Sequence, residues 1–217
     1  MMIKHYLKVA FRNLAKCKVQ SIVSILGLAV GFVCFALSTL WIRYEMTYDT
    51  FHEGAERIYL VRAHYAHEPG KISNSTPYPL ADYLQKGNPE IEAMASTSVQ
   101  KVKFRVKDTE KDVVSATADS VLMNFFNIRV LRGTVNFLKG TNGEIAITEE
   151  FSKRIFGEEE ALGREVEVSG HASKVGAIVS GWSSHSNIPY SILTSARHYT
   201  QWGSANENLF VRIRKGT

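Results

Sequence analysis

A mixed α+β domain carried on one membrane-spanning helix is the fold class the sequence predicts, and three observations predict it. No charged residue occurs from Val19 to Ile42, a run of 24 positions. Five cations and no acid precede that run. After it come short segments rich in β-branched and aromatic residues, divided by Gly, Pro and Asn, with a few short helical stretches among them. The averages conceal this division: the 217 residues are 45% hydrophobic and 22% charged, with a mean hydropathy of −0.11. Neither a disordered chain, a collagen-like chain nor a disulfide scaffold has this composition.

The first element is a short amphipathic helix. Ile3, Leu7, Ala10, Phe11 and Leu14 recur at spacings of three and four, and Lys4, Lys8 and Arg12 follow one another at i, i+4 on a neighbouring face. Such a helix suits the inner surface of a lipid bilayer, with a plain basic tail as the alternative. The second element is the span. A helix of 24 residues is about 36 Å long and crosses a hydrocarbon core of about 30 Å with some tilt. Trp41 and Tyr44 at its far end suit the headgroup level. A buried core helix would be shorter and would carry a polar face. A cleaved signal peptide would have a shorter apolar core and a small-x-small cleavage site, whereas this run ends Thr39-Leu40-Trp41-Ile42. Gly27 and Gly31 form a GxxxG pair within the span, the spacing that lets a second helix approach closely.

Charge sets the expected orientation. Lys4, Lys8, Arg12, Lys16 and Lys18 precede the span, while Glu45, Asp49, Glu53 and Glu56 follow it, so the N-terminus is expected in the cytoplasm and the bulk of the chain outside. The formal net charge of +5 lies entirely in that leading segment, because the 21 basic residues after Ile42 are matched by 21 acids. A neutral outer domain has no electrostatic footprint for a phosphate backbone, so nucleic acid is not an expected partner. The expected organisation is a cytoplasmic basic helix at 1–18, a membrane helix at 19–42 and an exported domain at 43–217.

Within the exported domain, residues 57–65 read as a strand. Pro77-x-Pro79 marks a turn into a helix at 80–86, ended by Gly87-Asn88-Pro89. Val102, Phe104 and Val106 alternate with Lys101, Lys103, Arg105 and Lys107, a half-buried strand whose hairpin partner is 111–118. Residues 144–148 form a strand feeding a helix, with Thr148 as its cap, Glu149 and Glu150 at its positive end and Gly157 as its stop. Further strands are expected at 164–169, 174–180 and 208–214.

The order of these features resembles the MacB/FtsX-type ABC transporter permeases over almost the whole chain. The stretches that carry the resemblance are Arg12-Asn-Leu-Ala-Lys16, Ile25-Leu-Gly-Leu-Ala-Val-Gly31, Glu45-Met-Thr-Tyr-Asp-Thr-Phe-His52 and Arg57-Ile-Tyr-Leu-Val61. Ala118-Asp119 through Phe125-Phe126, Leu131-Arg-Gly133, Ile147-Thr148 through Ile155-Phe-Gly157 and Ala161-Leu-Gly-Arg164 continue it in the outer domain. The resemblance implies a periplasmic core domain on a bacterial inner-membrane permease that pairs with itself or a second permease. It also implies coupling to a cytoplasmic ABC ATPase carried by a separate chain. Such permeases have three further membrane helices, and this sequence has none after the outer domain, so it is expected to represent part of a permease.

The residues offer little for catalysis. There is no GxxxxGK[ST], so ATP is expected on another chain. His64-x-x-His67 lacks the further ligands of a zinc site and reads as exposed histidines. Ser183, Ser184 and His185 are adjacent without an elbow such as GxSxG, and adjacency does not build a triad. Cys17 and Cys34 lie at and within the span, away from the exported domain. No cofactor or metal is expected. Tyr48, Asp49, Phe51 and His52 are expected to form a structural junction where helix meets domain, with Asp49 and His52 capping backbone groups. The candidate functional residues are therefore Gly27 and Gly31 for helix packing, Lys4, Leu7, Lys8, Phe11 and Arg12 for cytoplasmic coupling, and that junction. A single-pass anchor presenting a periplasmic interaction or sensor domain is the alternative function, and a membrane-bound hydrolase the third.

Overall fold

The computed structural model describes residues 5–216 apart from 7–8, 10–11, 13–15, 67–68, 108, 183–185, 187, 198–199, 204 and the side chain of residue 206. The chain divides into two compact units, residues 1–48 and 49–217. In the first, helix α1 runs Lys18–Met46 without a single buried residue. It exceeds the uncharged run at both ends because helical geometry tolerates Lys18, Arg43 and Glu45 in its terminal turns. It is long and apolar enough to cross a bilayer. The Thr39 hydroxyl donates to Phe35 O at 2.9 Å, which keeps that polar group satisfied within the helix. Trp41 and Tyr44 stack in a tilted pair at 6.2 Å near its end.

The second unit is the expected α+β domain, built on two sheets and a small ribbon. Its strands are β1 (Ile58–Leu60), β2 (Ala63–His64), β3 (Ile72–Ser73), β4 (Ser75–Pro77), β5 (Ile91–Thr97), β6 (Val99–Val106) and β7 (Thr109–Ala118). β8 (Val130–Gly133), β9 (Glu144–Thr148), β10 (Glu165–Val168), β11 (His171–Val179), β12 (Ile192–Ser195) and β13 (Ala205–Ile213) complete them. Helices α2 (Leu80–Gly87), α3 (Ser120–Phe125) and α4 (Glu149–Phe156) are interspersed. The strand expected at 57–65 is broken, because the chain changes partner within it: β1 pairs with β13, and β2 with β3. Pro77 closes β4 and Pro79 precedes α2, so the expected turn occupies only the residues between strand and helix.

The larger sheet follows the order β10-β6-β7-β12-β9-β11-β8, and β10 also pairs with β11. That extra pairing closes six strands into a ring and leaves β8 outside it, paired to β11. The alternating pattern of β6 and β7 now has its reason: Val102, Phe104 and Val113 point into the ring, with Ile147, Val166 and Val175 facing them. Phe151 of α4 enters the same core and meets Phe104 edge-on at 5.0 Å. On the ring's outer face alanines accompany Val179 and Leu193. Ala116, Ala118, Ala146 and Ala177 meet Ala95 and α3 there, and this lets the second sheet approach closely. That sheet is centred on β13, with β1, β4 and β5 paired to it, and α2 covers its far face through Leu80 and Leu84 against Met94, Leu209 and Val211.

Candidate functional site

The residues immediately after α1 do not form a plain linker. Asp49 takes a left-handed backbone conformation, φ 55°, which a short polar residue tolerates, and Gly54 repeats it at φ 73°. Between them the chain turns tightly, His52 N donating to Asp49 O at 3.3 Å and Ala55 N to His52 O at 3.1 Å. The turn faces a cleft of about 460 Å³ lined by Asp49, His52, Ile58, Arg62, Trp182 and Phe210 among others.

Aromatic rings make one wall of it. The His52 imidazole lies 4.2 Å from the Phe51 ring and 4.8 Å from both Phe126 and Trp182. Phe126 in turn meets Trp182 at 4.9 Å and Phe210 at 5.2 Å, and Trp182 meets Tyr190 at 5.0 Å. These rings come from the 49–54 turn, the end of α3, the segment before β12 and β13. The cluster thus ties four separate stretches of the domain together. Tyr190 is anchored by donating its hydroxyl to Ser180 O at 2.9 Å, and burial pushes its phenol pKa far up. Burial lowers the pKa of His52; the Asp49 carboxylate opposes this and the Arg212 guanidinium reinforces it. Arg212 lies over the Phe125 ring at 4.4 Å and donates to the Phe125 carbonyl.

A second contact fixes the turn. The Ser186 hydroxyl donates to Asp49 Oδ1 at 2.5 Å and accepts from Ile188 N at 3.2 Å. Trp182 Nε1 is buried and has no hydrogen-bond partner among the described residues. The wall is therefore suited to packing and to apolar contact. Among the described residues no group of three or more His, Cys, Asp or Glu is placed to hold a metal.

Of the junction residues, Asp49 and His52 line this cleft, and Phe51 packs its ring beside His52. Tyr48 ends the N-terminal unit, its ring edge-on to Tyr44 at 5.6 Å. The Asp49 side chain engages the Ser186 hydroxyl, and the His52 ring lies among aromatic rings. Gly27 and Gly31 lie one turn apart on α1, and a Cβ at either would meet nothing within 4 Å. Arg12 is helical and exposed; Lys4, Leu7, Lys8 and Phe11 lie outside the described residues. So do Ser183, Ser184, His185 and His67, whereas His64 is exposed on β2. Phe126, Trp182, Ser186 and Phe210 are the members that sequence reasoning missed. The doublet Phe125-Phe126 was the only local signal of them.

A family model described as the MacB-like periplasmic core domain matches residues 21–217. Three solved structures share the fold. A domain assigned to a permease from Porphyromonas gingivalis is 18% identical, with a TM-score of 0.64 over 76% of this chain and 79% of that one. The extracellular domain of the ABC-type transporter YknZ from Gram-positive bacteria is 17% identical, with a TM-score of 0.54 over 73% and 83%. The periplasmic region of MacB from Actinobacillus actinomycetemcomitans is 12% identical, with a TM-score of 0.53 over 74% and 75%. A search of curated proteins found no significant match.

Proposed function

The chain belongs to the MacB-like periplasmic core domain family, and from that premise we propose that it serves as the membrane-anchored, outward-facing part of an ABC transporter permease. The observation that carries this reading is the extent of the family match, which begins at residue 21 inside the apolar helix and runs to residue 217. Helix and outer domain are thus matched as one unit. The permease works with a separate ATPase chain, and ATP-driven motion passes through α1 to the outer domain for export or mechanical signalling. In this reading residues 1–18 lie on the cytoplasmic face of the inner membrane, 19–42 cross it and 43–217 stand in the periplasm. Gly27 and Gly31 then face a second membrane helix in a homodimer or paired permease. Lys4, Leu7, Lys8, Phe11 and Arg12 form the surface helix through which the ATPase acts. Tyr48, Asp49, Phe51 and His52 form the structural junction where helix meets outer domain.

Affinity purification of the tagged chain from its native membrane, followed by mass spectrometry, tests this. An ABC ATPase recovered in near-stoichiometric amount is the expected result. Recovery without any nucleotide-binding subunit, from membranes where the chain is stable, overturns it.

A further inference from the structure

The aromatic cleft grades from apolar to polar. Alternate residues running through and past β1, Ile58, Leu60 and then Arg62, line it, and on β13 so do Phe210 and Asn208. Register makes the two gradients coincide. Leu60 pairs with Phe210, and one step on Val61 N donates to Leu209 O at 2.8 Å, which sets Arg62 opposite Asn208. Asn74 joins them, because the next residue, Ser75, is the β4 partner of Asn208. One end of the cleft thus carries Ile58, Phe126, Trp182 and Phe210, and the other a guanidinium and two amides.

The fold makes no use of these three polar groups. Among the described residues, the side chains of Arg62, Asn74 and Asn208 make no hydrogen bond or ion pair. Arg57, Arg105, Arg132 and Arg164, by contrast, are each paired with a glutamate. The acid that lines the cleft, Asp49, belongs to the aromatic turn, where its Oδ1 accepts from the Ser186 hydroxyl. Glu207 precedes Asn208, but alternation along β13 turns it to the other face, where it lines a separate cavity. Among the described residues, then, no carboxylate occupies the Arg62 guanidinium.

Size and chemistry define what fits. A volume of about 460 Å³ falls in the range of roughly 300–1,000 Å³ for clefts that enclose small ligands, and an apolar floor with a few convergent polar groups is their usual make-up. Aromatic rings accept an apolar or aromatic body by edge and face contacts. Arginine presents paired donors that match the two oxygens of a carboxylate, and amide N–H groups add to them. One cation balances one negative charge, which favours a carboxylate over a doubly charged phosphate.

We propose that this cleft binds a small organic acid, its apolar body against the aromatic end and its carboxylate held by Arg62 with Asn74 and Asn208. The site lies wholly within the outer domain and holds whatever the chain's partner or orientation.

The test is a methyl NMR titration of the full chain in lipid nanodiscs, with isoleucine methyls labelled and three probes at neutral pH: phenylbutyrate, its neutral amide and acetate. A probe of about a dozen non-hydrogen atoms binds in roughly the millimolar range at an ordinary ligand efficiency. Phenylbutyrate should shift the methyls of Ile58 and Ile188, which line the cleft, and leave Ile147 and Ile178 of the ring core in place. The amide should bind at least about fivefold more weakly, the loss of a charge-assisted contact to an exposed arginine. Acetate has no apolar body and should move neither cleft methyl at the same concentration. Arg62→Gln, at an exposed position, should bring acid and amide to equal affinity. Four results overturn the proposal. The first is no shift of Ile58 and Ile188 at about 10 mM acid, including shifts confined to Ile22, Ile25 and Ile42 of α1, which report partition into lipid. The others are an acid preference below about fivefold, an acetate shift equal to that of phenylbutyrate, and an Arg62→Gln variant that keeps the preference. Should that variant not fold, the ratio of acid to amide affinity in the wild-type chain decides.

Discussion

His52 is a half-buried imidazole enclosed by three aromatic rings, and burial there disfavours its charged form. Its folded pKa lies below 6.5, so the unfolded chain binds the proton more readily. Stability from this residue is therefore full above pH 6.5 and declines as pH falls toward the folded value. The unfolding midpoint of the wild-type chain should drop on acidification through that range, and His52→Gln should flatten the drop at the cost of some packing. An unchanged acid slope in the variant would show that His52 is not its source. Glycines offer a second test at this scale. Gly133 has φ 88°, and an added Cβ would come within 2.3 Å of Gly176 O and 2.9 Å of Ala177 Cα, both backbone atoms. Gly157 also has positive φ, 62°, but nothing lies within 4 Å of a Cβ there. Gly133→Ala should thus cost well beyond the roughly 1–3 kcal/mol of backbone strain alone, while Gly157→Ala should stay within it. Chemical denaturation of the two variants distinguishes steric exclusion from conformational strain.

At the scale of elements, α4 is the one most fully written in local sequence. Thr148 caps it by accepting from Phe151 N at 3.2 Å, Glu149 and Glu150 occupy its first turn, and Gly157 ends it with a left-handed φ. Thr148→Ala should destabilise the outer domain by about 1 kcal/mol, measurable by denaturant titration. The β6–β7 hairpin was equally legible, because alternation along β6 states which face is buried. β5, β8, β12 and α3 were not. They carry no clear period, and β12 takes its place through non-local pairing, parallel with β7 more than seventy residues earlier and antiparallel with β9. The aromatic cleft failed to show for the same reason: Asp49 and His52 are local, while Ser186, Trp182 and Phe210 reach them only through the folded topology. For α1 the legible signal was length and apolarity, and Gly27 with Gly31 adds a packing expectation. Replacing both with Leu should preserve insertion, since Leu is favourable in hydrocarbon, and should weaken crosslinking to other membrane helices in a complete permease. Unchanged crosslinking would remove these glycines from the contact.

At the scale of the whole molecule, the uneven placement of charge is the argument for the proposed orientation of the folded domain. The five cations before α1 stand within the distance over which basic residues hold a segment in the cytoplasm, and no acid accompanies them. Acidic residues count for little in that rule, so Glu45, Asp49 and Glu53 beyond the helix do not oppose it. Arg43, Arg57 and Arg62 do stand on the far side, yet they are fewer and more widely spaced. Translocation of residues 49–217 is then compatible with their composition, because that unit contains no cysteine and so needs no redox chemistry to fold outside. Fusions of a cytoplasm-active and a periplasm-active reporter at residue 10 and at residue 120 should give opposite signals, cytoplasmic at the first and periplasmic at the second. Replacing Lys4, Lys8, Arg12, Lys16 and Lys18 with neutral residues should then mix or invert the orientation. Inverted signals in the wild-type chain would place the outer domain in the cytoplasm, and an external permease domain could not survive that result.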